Sequence, residues 1–172
     1  MRLSPYRLPC GVLAFFLAGV ASPSTQDQEI SCQIVPTAVH VAFNKAFPKA
    51  TITGCIKDTE GGRAAYEIAS MEGETRRDVY FHADGTLIDI EEEVVVGSLS
   101  PSLLQVFYEM YPGSVIRTAE KITRDGAERY KLHGEHQDEL VELVLHSDGT
   151  LLVAEETLAV GKLPKSLQRA VQ

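Results

Sequence analysis

Sliding the chain along itself by 64 residues aligns residues 34–99 with residues 98–163, and 17 of the 66 pairs are identical. A repeat of this length constrains the fold strongly, because whatever one copy builds the other must build too. Phe43 meets Phe107, Pro48 meets Pro112, Ile52 meets Ile116, Gly62 meets Gly126 and Tyr66 meets Tyr130. His82-x-Asp84-Gly85-Thr86-Leu87 meets His146-x-Asp148-Gly149-Thr150-Leu151, and Glu91-Glu92 meets Glu155-Glu156. Turn residues and apolar residues therefore stay in step.

Each copy reads as one helix followed by four strands. Val39, Ala42, Phe43, Ala46 and Phe47 recur at spacings of three and four, which predicts a helix with one apolar face over 36–47. Leu103, Leu104, Phe107, Met110 and Tyr111 repeat that face. Phe47-Pro48 and Tyr111-Pro112 end the helices, since the residue before a proline avoids helical angles. The period then changes to two. First strands are expected near 50–57 and 114–121, with turns at Gly61-Gly62 and Asp125-Gly126. Further strands follow at Tyr66-x-Ile68, Val79-x-Phe81 and Ile88-x-Ile90, with counterparts at Tyr130-x-Leu132, Leu143-x-Leu145 and Leu152-x-Ala154. The expected fold class is α+β: two tandem α-β-β-β-β units, each a four-stranded antiparallel meander with one helix packed on one face, plus a short C-terminal helix. For the first strand, Ile52, Gly54 and Ile56 compete with Thr51, Thr53 and Cys55 for the core side.

The start of the chain carries a different pattern. Arg2 and Arg7 precede an apolar run from Gly11 to Ala21, and small residues stand at Gly19 and Ala21 before Ser22. This predicts a signal peptide over 1–21, cleaved near Ala21-Ser22. The run is too short to span a bilayer, which takes about 20 apolar residues. A linker is expected over 22–33, repeats over 34–97 and 98–161, and a closing helix over 162–172, where Leu163-Pro164-Lys165-Ser166-Leu167 restarts the helix pattern. Removing two arginines and no acid takes the net charge from −8 to −8 − 2 = −10. Such a chain should repel nucleic acid and anionic membranes. Cys32 and Cys55 remain, and read either as a disulfide of an exported protein or as two free thiols.

Residues 47–52 (Phe-Pro-Lys-Ala-Thr-Ile), Gly61-Gly62, Tyr66-x-Ile68 and the run from Asp84 to Glu93 together resemble the PepSY-like family, which groups with the β-lactamase-inhibitor-protein fold. The second copy is similar more loosely, through residues 111–116, 119–122 and 148–152. The resemblance implies a periplasmic or extracellular tandem domain with an inhibitory or interaction role. It implies no catalytic residues.

The remaining candidates lie on strands. Alternation puts Glu67, Tyr80, His82, Leu87, Asp89 and Glu91 of the first copy on the face away from the helix. Val115, Lys131, His133, Val144, His146, Leu151 and Val153 occupy that face in the second copy, which is more apolar. A partner face is expected there, since exposed apolar patches mark interfaces. The rival expectation is a divalent-ion or small-ligand binder using the acidic strand ends, from Asp89 to Glu93 and at Glu155-Glu156, together with His82 and His146. The Asp-Gly-Thr triplets are explained by turn chemistry, and no paired carboxylates or nucleophile–base set marks an enzyme. The expected function is an exported protein-binding module, an inhibitor or modulator of a secreted or periplasmic enzyme, with no cofactor.

Overall fold

A computed structural model describes residues 28–157. The expected signal peptide, the start of the linker and the closing helix lie outside the described residues. Helix α1 runs Thr37–Ala46 and α2 runs Pro101–Met110. Phe47 and Tyr111 leave helical angles at φ −129° and −127°, each donating its N–H to the carbonyl of Phe43 or Phe107. Pro101 opens α2, where its missing N–H costs nothing. The strands are β1 (Gln28–Glu29), β2 (Thr51–Glu60), β3 (Arg63–Glu72), β4 (Thr75–His82), β5 (Leu87–Val94), β6 (Val115–Arg124), β7 (Ala127–His136), β8 (Glu139–His146) and β9 (Leu151–Glu156).

The expectation of two separate four-stranded units is overturned. Among the described residues, nine strands form one antiparallel sheet in chain order, and the architecture is mostly β, with two α-helices on the same side of that sheet. The join is β5 against β6, with Ile90 opposite Thr123 and Val94 opposite Ala119. The physical reason is the edge of β5. A lone meander would leave its N–H and C=O groups unpaired there. The connection through α2 crosses the helix side and returns β6 antiparallel beside that edge. Within the expected linker, β1 extends the sheet at β2 and a 3-10 turn spans Cys32–Ile34.

Two cores lie under the helices. Val39 and Phe43 pack on Cys55, Ile68, Val79 and Phe81, while Leu103 and Phe107 pack on Ala119, Leu132, Leu143 and Leu145. Both first strands carry a register shift, between Ile52 and Gly54 and between Ile116 and Thr118. An inserted residue changes the phase of a strand. Ile52 and Cys55 therefore both reach the first core, and Ile116 and Ala119 the second. Neither alternating set wins alone. Gly134 is required by close approach: a Cβ there would lie 2.3 Å from Cζ of Phe107. The structure joins Cys32 to Cys55, which ties the segment before α1 to β2.

Candidate functional site

Both helices cover one side of the sheet, and no described element covers the other. Strand register arranges that open side in rows. One row runs Glu67, Tyr80, Asp89. The next runs Ala69, Asp78, Glu91, Ile122, Arg129, His146. A third holds Glu93, Glu120, Lys131, Val144 and Val153, and a fourth holds Thr118, His133, Glu142 and Glu155.

The open side is hollow. Arg124 on β6 lies 3.3 Å from Glu60 at the tip of β2. Strands four places apart stand about 19 Å apart in a flat sheet. The sheet must therefore curl toward its open side, so that the β2–β3 hairpin arches over it. The same guanidinium donates to Asp89 on the floor. Curling explains why Asp78, Asp89 and Lys131 are under 10% exposed although no element lies over them.

Ion pairs line this hollow. Arg76 meets Asp78 at 2.9 Å, and Lys131 meets Glu91 at 3.0 Å and Glu120 at 3.6 Å. His133 stands 3.2 Å from Glu142 and 3.7 Å from Glu120. Burial pushes the carboxyls of Asp78, Asp89 and Glu91 up despite their partners Arg76, Arg124 and Lys131. Burial also pushes Glu120 up, but the His133 hydrogen bond and the Lys131 charge outweigh it and hold Glu120 low. Among the described residues, four buried atoms on this side have no hydrogen-bond partner: Oδ1 of Asp78 and Asp89, Nδ1 of His82 and Nε of Arg129.

The sequence-predicted residues fall into two kinds of place. Asp89 and Lys131 are buried ion-pair members, and Glu67, Tyr80, His82, Val144 and His146 are partly covered. Leu151 and Val153 are exposed, at 41% and 42%. His82 and His146 stand on β4 and β8, four strands apart in the sheet order. Among the described residues, no group of three or more His, Cys, Asp or Glu side chains is placed to hold a metal ion. The sequence reading missed Arg76, Arg124, Glu120 and Glu142. Their signal was available in the 64-residue offset, which places Arg124 on Glu60 and Glu142 on Asp78.

On the helix side, Arg77 is buried. It donates to Glu92 at 2.7 Å and stacks 4.3 Å over the ring of Phe47. Burial raises the Glu92 carboxyl, yet the Arg77 hydrogen bonds and charge outweigh that and hold it low.

No protein-family model matches the chain, and no curated protein matches it. Solved structures do. A BLIP-like protein from Bacteroides fragilis is 22% identical, with a TM-score of 0.57 over 72% of this chain and 88% of that one. A protein from Bacteroides eggerthii, provisionally described as periplasmic, is 12% identical with a TM-score of 0.61, over 71% and 88%. A DUF2874 family protein from Bacteroides ovatus is 18% identical with a TM-score of 0.58, over 77% and 92%. At these identities the likeness shows a shared BLIP-like fold. No helix among the described residues is long and apolar enough to cross a membrane.

Proposed function

We infer that the chain is an exported protein-binding module of the PepSY-like kind, and that the hollow open side of the sheet meets its partner. One observation carries this reading. A nine-stranded sheet keeps a whole side free of covering elements among the described residues, and that side ends in exposed Val153, whereas a register shift sets Leu151 opposite Leu145 of the helix-side core. Apolar side chains exposed beside a sheltered polar floor are a pattern of interfaces. The fold shared with a BLIP-like protein is compatible with this reading. A secreted or periplasmic enzyme, held in an inhibited or modulated state, is the partner class the reading favours.

The test is capture from periplasmic extract on three immobilised proteins. These are the wild-type mature chain, a Val153→Arg variant, and a Val41→Arg variant whose substitution lies at an exposed position of α1. The wild type and Val41→Arg should retain the same protein, and Val153→Arg should lose it. Equal retention by all three would place the contact elsewhere and overturn the reading.

A further inference from the structure

We propose, building on the open side as the partner surface, that β8 and β9 take a basic segment of a partner protein, whose lysine or arginine side chains pair with Glu142 and Glu155 while its apolar side chains lie on Val144 and Val153. The starting observation is a pattern of like charges. Asp78 stands directly opposite Glu91, Glu93 opposite Glu120, and Glu142 opposite Glu155, all on the open side. Like charges directly opposite each other destabilise a sheet.

The 64-residue offset makes one of these pairs a template for another. Asp78 corresponds to Glu142 and Glu91 to Glu155. In the first half each acid has a cation. Arg76 serves Asp78, and Lys131 reaches Glu91 from β7, in the copy that follows. In the second half the counterpart of Arg76 is Leu140. Among the described residues, no lysine or arginine forms an ion pair with Glu142 or Glu155. His133 touches Glu142 but is shared with Glu120. Burial, then the charge of Glu142, pushes the Glu155 carboxyl up, and the opposing charge of Lys131 does not outweigh them.

The next row supplies the second half of the chemistry. Val144 faces Val153, and Val153 and Leu140 are 42% and 40% exposed. An acidic row beside an apolar row matches a segment that presents both cations and aliphatic side chains. The internal ion pairs show that this curved face accommodates such cations: Arg124 spans Glu60 and Asp89, and Lys131 spans Glu91 and Glu120.

The probe is a capped hexapeptide alternating lysine and valine, with a glutamate–valine hexapeptide as comparator, titrated into the mature chain and followed by amide NMR. The lysine peptide should shift amides in residues 140–144 and 151–156, and the glutamate peptide should not. Affinity should fall about tenfold in Glu142→Gln/Glu155→Gln, and similarly in Leu140→Arg. The second variant keeps both carboxylates and restores the arrangement seen at Arg76, so a loss there is not a loss of fold. Equal shifts with both peptides, or lysine-peptide binding indifferent to both variants, would overturn the proposal. If Val153→Arg still abolished partner capture in that case, the partner surface would stand and only its basic preference would fall. Lysine-peptide binding that appeared only after deletion of residues 158–172, which hold Lys162, Lys165 and Arg169, would assign the site to this chain's own C-terminal segment and also overturn it.

Discussion

The halves β2–β5 and β6–β9 share an order of elements and differ in how their sides are finished. In the first half the open side is acidic and ion-paired: Asp78 and Asp89 are held by Arg76 and Arg124, and Glu91 by Lys131. In the second half the counterparts of Tyr80 and Asp89 are Val144 and Val153, and the counterpart of Arg76 is Leu140. The edges differ as well. Cys32 and Cys55 correspond to Val96 and Ala119. Val96 packs against the core that contains Ala119, in a region where β5 already pairs with β6. The first half has only two-residue β1 on that side of β2, and there a disulfide makes the tie. The difference teaches that the join of the two copies supplies beside β6 the support that a covalent tie supplies beside β2.

The comparison can be broken in order of effect. Phe43→Ala and Phe107→Ala each remove a fully buried ring and should cost about 3–5 kcal/mol. Because the sheet is continuous, either change should lower a single urea transition instead of melting one half. Two separated transitions in either variant would contradict the single sheet.

Lys131→Met should cost about 3 kcal/mol, because it leaves Glu91 and Glu120 buried without their cation. Cys32→Ala/Cys55→Ala should cost about 3 kcal/mol for a tie 23 residues apart in sequence. Hydrogen exchange should then rise in β1 and β2 while β6 stays protected. Equal loosening of β6 would show that the disulfide is not the first half's substitute for a neighbour.

A pH series sharpens the contrast between engaged and strained carboxylates. Asp78, Asp89 and Glu91 have raised values in the folded chain, so their contribution is full below their unfolded values and is lost as pH rises through the folded ones. Lowering the pH through their folded values should therefore gain stability from these three. Glu92 and Glu120 have depressed values and contribute in the opposite sense, losing stability as pH falls through their folded values. Asp78→Asn should flatten the gain in melting temperature on mild acidification. An unchanged slope would contradict the assignment. The smallest effect belongs to the exposed Arg117–Glu135 pair, where Arg117→Gln should change stability by less than about 0.5 kcal/mol.

Much of this half-by-half architecture was legible in the sequence. Phe43 and Phe107 declared the helix faces, and the Gly61-Gly62 and Asp125-Gly126 turns declared the hairpins. Asp84 and Asp148 accept from the amides of Thr86 and Thr150, as local turn chemistry requires. The joining of β5 to β6 was not legible, because period and turns describe neighbours in sequence and this pair is separated by α2. The bulges were hidden for a related reason: one inserted residue puts Ile52 and Cys55 on the same side, which alternation cannot express. At the site, alternation placed Glu67, Tyr80, Asp89, Lys131, Val144 and Val153 on a common side. It could not show that Lys131 is the counter-ion of Glu91, since that contact depends on register across the join.

The account turns on the claim that, among the described residues, Glu142 and Glu155 stand opposite each other with no lysine or arginine in ion-pair contact, Lys131 acting on Glu155 only through its charge. Carboxyl-carbon NMR titration of Glu155, in the wild type and in Leu140→Arg, tests it directly. The wild-type Glu155 should titrate above an ordinary glutamate, raised by burial and by Glu142, and the added arginine should bring it down. A wild-type Glu155 that titrates as an ordinary exposed glutamate, unchanged in the variant, would contradict the claim.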